Sequence, residues 1–238
     1  RSAIGTDMEV ELISALDWQP RQLVATSYGT HRVFLAGDSC HLFVPTGGLG
    51  MNTGIGDAVD LAWKIEASLR GWGGPALLAS YDLERRPQGE RNTLEAADNY
   101  ARSGYIFASI RNIEAESPAG DSERIALAAA LPPKIKHFAP IGVHLGYRYE
   151  GSPLISPDGT PEPPREAANY KPTARPGHRA PHGWLADGRS MLDLFGRGFV
   201  LICFGDTAAA QPFQTAAQEL AIPLTMERIA DQELAALY

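Results

Sequence analysis

Residues 8–16 alternate, with Met8, Val10 and Leu12 set against Glu9 and Glu11, the pattern of a half-buried strand. Residues 22–28 (QLVATSY) can pair with it after the break at Pro20. In RVFLAGD (32–38), Val33, Phe34, Leu35 and Ala36 run together and stop at Gly37. Such a run predicts a buried strand of the kind found in parallel sheets. A loop from Ser39 to Gly56 follows, and behind it Ile55, Ala58, Val59, Ala62, Ile65 and Leu69 recur at helical spacing. Asp57, Asp60, Lys64 and Glu66 take much of the other side. Asn52 or Thr53 can cap this helix, Asp57 falls in its first turn, and Gly71, Gly73 and Gly74 stop it.

Pro75 opens a second helix over 75–86, and Pro87 starts or kinks into a third that runs to about Ser109. Residues 122–131 predict one more short helix. Between 151 and 182, which hold eight of the 18 prolines, periodicity is lost, as in an extended connector. Beyond it come a buried strand at 198–205, a helix from about Ala208 to Ala221, and a strand in PLTMERI. That order predicts a small α/β unit. The chain therefore divides into 1–30, 31–150, the connector 151–182, and 183–238.

Composition narrows the function classes. A formal charge of -7 and a pI near 5.4 leave no basic face for nucleic acid or an anionic membrane. No apolar stretch approaches the ~20 residues of a membrane span, and no secretory signal opens the chain. Two cysteines, Cys40 and Cys203, without C-x-x-C spacing, fit a reducing cytoplasm and supply neither a zinc ribbon nor a dithiol centre.

The chemistry concentrates in residues 32–65. The strand brings Asp38 to the carboxyl edge of a sheet, where α/β proteins bind ligands. An ionised Asp is acceptor-only and suits a ribose or ribityl hydroxyl. Gly47, Gly48 and Gly50 remove Cβ atoms along one path, so backbone can approach a flat ligand. The loop ends at a helix N-terminus, whose free amides favour negative charge. A reduced flavin carries such charge along the N1–C2 carbonyl edge of its ring. Other candidates carry bland readings. His41 reads as a hydrogen-bonded loop histidine, Tyr100, Tyr105 and Phe107 as core aromatics, and Arg85 and Arg86 as surface or ion-pairing residues. Ser39 lacks a G-x-S-x-G elbow. Pro181 breaks the metal-like spacing of His178 and His182.

This stretch resembles the second FAD-binding motif of the class A flavoprotein monooxygenases, the aromatic-ring hydroxylases related to p-hydroxybenzoate and phenol hydroxylases. The resemblance rests on the strand ending Gly37-Asp38, on His41, on the Pro45-x-Gly47-Gly48-x-Gly50 turn and on the Met51-Asn52 pair. It implies that Asp38 binds the ribityl chain, that Pro45 lies beside the isoalloxazine, and that Met51 and Asn52 offer amides to its O2 edge. Val44 and Leu49 depart from the family's commoner residues. MEVELISALDW is similar to the end of the family's substrate-covering sheet. PTARPGHRAPHGWL and LFGRGFVLICFG are similar to the connector and thioredoxin-like tail of its phenol and polyketide hydroxylase branch.

The implied fold is α/β: the C-terminal part of a glutathione-reductase-like FAD/NAD(P)-binding domain plus a small thioredoxin-like domain. The implied activity is hydroxylation of a phenolic or polycyclic aromatic substrate with FAD, NAD(P)H and O2. No G-x-G-x-x-G follows a strand, so the pyrophosphate site is expected in an N-terminal segment outside this chain. The tail's last strands are likewise expected after Tyr238. Two alternatives stand beside this reading: a non-catalytic interaction piece, such as a homodimer module, and a same-fold flavin oxidoreductase that does not hydroxylate.

Overall fold

The computed structural model describes residues 5–6, 9–131 and 135–238, except the side chains of residues 105, 107, 109 and 135. Met8 and the aromatic side chains of Tyr105 and Phe107 thus lie outside the described residues. Tyr100, expected in the core, is about half exposed.

Residues 9–22 form no strand and are exposed throughout, which corrects the expected pairing of 8–16 with 22–28. The alternation fails at Leu12–Ile13, two apolar residues in succession, so no single face of a strand could bury both. Instead β1 (Leu23–Val24) pairs antiparallel with β4 (His41–Leu42). The apolar run at 33–36 also departs from expectation. Only β3 (Val33–Phe34) is strand, and it pairs antiparallel with β2 (Gly29–Thr30) across His31, whose φ is 44°. Among the described residues no parallel neighbour flanks it, and Val33 is 67% exposed. The hairpin is tied to the helices by polar bonds. The Tyr28 amide donates to Asp82 Oδ1 at 2.7 Å, and the Tyr81 hydroxyl to the Leu35 carbonyl at 2.7 Å. Tyr28, Cys40 and Tyr81 form the core beneath it.

Helix α1 (Leu49–Arg70) and helix α2 (Ala76–Ser109) make the scaffold. Gly71, at φ 83°, ends α1 as expected. Its start differs: Gly48 is the N-cap, Thr53 Oγ1 bonds back to the Leu49 carbonyl, and Asp57 sits two turns in. The helix is also turned against its amphipathic pattern. Thr53, Asp57, Asp60, Lys64 and Ala67 are buried, while Val59 is 64% and Leu69 83% exposed. The inward charges are matched by α2. Lys64 Nζ donates to Asp60 Oδ2 at 2.7 Å and to Glu84, and Arg85 Nε donates to Asp57 Oδ1 at 2.9 Å. Gly56 leaves room for that guanidinium; a Cβ there would lie 2.6 Å from Arg85 Nη2.

Pro87 does not break α2. It removes one amide and ordinarily costs about 3 kcal/mol or more. The carbonyl left without a partner belongs to Leu83, on the exposed side, and packing along α1 holds both halves in line. Helix α3 (Pro118–Ala130) is capped by Ser117, and α4 (Ile135–Phe138) and α5 (Ile141–His144) are single turns. Residues 151–182 carry neither helix nor strand, and fold back on the helices. Ser152 Oγ donates to Glu84 Oε1 at 2.5 Å, and the Gly142 amide to the Ala167 carbonyl at 3.1 Å.

The tail is a strand–helix–strand unit. β5 (Phe199–Phe204) and β6 (Leu224–Ile229) pair in parallel, joined by α6 (Gln211–Glu219), and α7 (Gln232–Ala235) follows. β5 is half-buried rather than buried, because the sheet has only these two strands among the described residues. Met191, Ile229 and Leu234 form its core.

Candidate functional site

The residues between β3 and α1 converge on one side of the scaffold. Gly37, at φ 61°, opens a 3-10 turn, Gly37–Ser39. The turn lies against α1 at Gly54, where a Cβ would come within 3.2 Å of the Gly37 Cα. Ser39 Oγ closes the turn by donating to the Ala36 carbonyl at 2.7 Å. Asp38 is left exposed at its apex.

The following loop is anchored by its apolar residues. Val44 and Leu49, the two departures from the family pattern, are buried with Ala96 and Val143. Thr46 Oγ1 donates to the Ala96 carbonyl at 2.5 Å. Gly47 and Gly48 both take positive φ, 80° and 65°, and Gly48 leads into α1. The amides of Gly48, Leu49, Gly50 and Met51 precede the first intrahelical bond and carry the positive end of the helix. Asn52 comes one residue later, and its side-chain amide donates to the Gly48 carbonyl at 2.7 Å.

A cavity of about 990 Å³ opens over this loop. Of the eight residues read from the sequence, Asp38, Pro45, Gly48, Gly50 and Met51 line it; Gly37, Gly47 and Asn52 do not. Sequence reading missed the opposite wall, where Trp18 and Arg21 of the exposed N-terminal stretch border the same space.

Beneath the turn, His41 is hydrogen-bonded and Arg85 ion-paired, as their sequence readings expected, but their convergence on Asp57 was not foreseen. Asp57 is fully buried. Its Oδ2 accepts from His41 Nε2 at 2.6 Å and from the Gly37 amide at 3.1 Å; its Oδ1 accepts from Arg85 Nε. Burial pushes this carboxyl up, but the His41 bond and the Arg85 guanidinium outweigh it and hold it below the usual range. Burial, with the Asp57 charge adding, pushes the Cys40 thiol up to about 12. Cys40, His41 and Asp57 lie close enough together to ligate a metal. Yet the thiol is held protonated and the carboxylate is already engaged on both oxygens, so the donor set is poor for one.

Residues 1–96 match the family described as "FAD binding domain". The chain is 38% identical to the FAD-dependent monooxygenase apdD of Emericella nidulans, over 90% of this chain and 36% of that one. It is 34% identical to 2,4-dichlorophenol 6-monooxygenase of Delftia acidovorans, over 94% of this chain and 43% of that one. Among solved structures, the rebeccamycin biosynthetic enzyme RebC with reduced flavin superposes with a TM-score of 0.85 at 40% identity, covering 98% of this chain and 44% of that one. The chain is similar to the class A FAD-dependent aromatic-ring hydroxylases.

The chain spans about two fifths of the length of the relatives it matches. The match to the FAD-binding family ends at residue 96, within α2, while the superposition on the solved structure covers 98% of the chain. The open concavity and the unpaired amides at its floor fit a flat, electron-rich ring. No helix among the described residues is long and apolar enough to cross a membrane.

Proposed function

We propose that this chain supplies the flavin-ring side of the site in an FAD-dependent monooxygenase that hydroxylates a phenolic or polycyclic aromatic ring, using NAD(P)H and O2. One observation carries the reading: the cavity over residues 38–51 is lined by Asp38, Pro45 and the N-cap and first residues of α1, Gly48 to Met51, whose amides precede the first intrahelical bond. The names of the relatives support the chemistry, since one acts on a dichlorophenol and another is an FAD-dependent monooxygenase.

In this reading Asp38 accepts hydrogen bonds from the ribityl chain. Pro45 packs beside the ring, and Gly47 and Gly48 give the loop its turn. The amides of Gly50 and Met51 stand at the pyrimidine edge, with Gly37 setting the direction of Asp38; the amide of Asn52, expected there from the sequence, is taken up by the first bond of α1. FAD supplies the oxygen activation when bound; the protein binds, orients and excludes water. The helix N-terminus favours the negative charge of a reduced ring by about 0.3–2 kcal/mol, depending on burial. The aromatic substrate enters against Trp18. The pyrophosphate half of the cofactor site is supplied by an N-terminal FAD-binding segment. The tail is of thioredoxin-like type and, having no dithiol, serves packing or homodimerisation in a cytoplasmic protein.

The test is spectroscopic. The full protein, reconstituted with FAD, is expected to be yellow, to bleach when NAD(P)H and a phenol are added together, and to yield an oxygenated product. A preparation that stays colourless with FAD overturns the reading in favour of an interaction piece. Peroxide without oxygenated product favours a flavin oxidoreductase.

A further inference from the structure

The carboxylate of Asp57 is divided between two parts of the molecule. One oxygen, Oδ1, faces α2 and is bound by Arg85. Arg85 is itself fixed, since Nη2 donates to the Thr53 carbonyl at 3.2 Å and Nη1 to the Tyr149 hydroxyl at 3.4 Å. The other oxygen, Oδ2, faces the turn that carries Asp38 and receives the Gly37 amide and His41 Nε2. A buried acid needing only a counter-charge would be satisfied by Arg85 alone. The second oxygen instead spends its lone pairs on the residue before Asp38 and on the histidine three residues after it. Backbone amide, histidine and the Gly37–Gly54 approach together hold the turn against α1.

We propose that Asp57 is a positioning residue for the cofactor, fixing through the Gly37 amide the direction in which Asp38 meets the ribityl chain. The inference rests on the assignment of Asp38 to the flavin, and its test separates the two. An amide at position 57 keeps the shape but loses the charge that draws the Gly37 amide and His41. On the proposed role, its effect on FAD binding passes through Asp38.

The experiment is a double-mutant cycle on FAD affinity, measured by flavin fluorescence in the full protein, with Asp38→Asn, Asp57→Asn and the pair. Asp38→Asn is expected to weaken FAD about tenfold, the scale of one hydrogen bond to a charged group. Asp57→Asn is expected to weaken it about fivefold in the wild-type background and less than about twofold when Asp38 is already Asn, the signature of coupled sites. Equal factors in both backgrounds, or no effect of Asp57→Asn, overturn the positioning role and leave the Asp38 assignment standing. An Asp38→Asn variant that binds FAD like wild type removes that assignment and the inference with it. Should Asp57→Asn fail to fold, His41→Leu removes one Oδ2 donor and keeps the Arg85 pair. The same cycle then decides: a loss that vanishes with Asp38→Asn supports the role, and a loss that persists overturns it.

Discussion

The α1–α2 contact and the tail unit bury opposite kinds of surface. Between the helices the inward residues of α1 are Thr53, Asp57, Asp60 and Lys64, met by Glu84 and Arg85 of α2. In the tail, Met191, Ile229 and Leu234 pack without a charge among them. Apolar packing is tolerant of small shifts, since its energy is proportional to area and has no direction. Buried ion pairs add little net stability but penalise every arrangement that leaves a charge unmatched. The helices carry the turn and loop of the site, so one register is required there; the tail has only to stay folded.

That contrast can be broken most sharply at Lys64, which is fully buried and bridges Asp60 and Glu84. Lys64→Ala leaves two buried carboxylates unmatched and is expected to lower unfolding free energy by about 3–5 kcal/mol in denaturant titration. A loss under about 1 kcal/mol would mean that water reaches the contact and the charges do not hold it. Met191→Ala in the tail is expected to cost about 2–3 kcal/mol, because the partly exposed Leu185 and Leu194 around it can close on the cavity.

A third effect is confined to acid. Asp57 is held below its ordinary value of 3.8, burial opposing the His41 bond and the Arg85 guanidinium that win over it. A depressed folded value contributes stability that is complete above the unfolded value and is lost as pH falls through the folded one. The stability gap between wild type and Asp57→Asn should therefore be constant from pH 7 to about 5 and narrow below about 4. Neighbouring Asp60, pushed up by burial, is present in both proteins and cancels from the gap. The gap for Met191→Ala should not change over that range. A gap for Asp57→Asn that stays flat to pH 3 would show that the carboxylate is not the stabilising form.

How much of this was legible before the structure differs by region. The tail's strand–helix–strand order, the stop of α1 at Gly71, and the glycine loop were readable because each rests on local chemistry: a β-branched run, a left-handed glycine, a change of period. The inward face of α1 was not. Periodicity says which residues share a face, not which face meets a neighbour, and Ile55, Val59 and Leu69 drew attention to the wrong side. A signal was present all the same. Thr53, Asp57, Asp60, Lys64 and Ala67 step alternately by four and three, and the next helix offers Glu84 and Arg85, opposite charges for Lys64 and Asp57. Complementary charge on consecutive helices marks a buried contact more surely than either helix alone. The alternation at 8–16 misled for the converse reason: a strand is completed by its partner, and no pairing pattern is written in one segment.

The smallest effect is the most instructive, because it separates charge from burial. Arg86 is adjacent to Arg85 and is also ion-paired, to Asp82 at 3.5 Å and to Glu90 at 2.6 Å. Its side chain is 30% exposed and that of Glu90 47%, so water screens the pair and compensates either partner when the other is removed. Arg86→Ala is expected to cost less than about 0.5 kcal/mol, the ordinary worth of an exposed helix pair. Arg85→Ala, one residue away, strands Asp57 in a site with no solvent. Denaturant titrations of these two variants side by side test the distinction: comparable losses would mean that any pair along α2 matters equally. A large loss at 85 beside a negligible one at 86 locates the specificity of the contact in desolvation, on the face of α2 that meets the turn below Asp38.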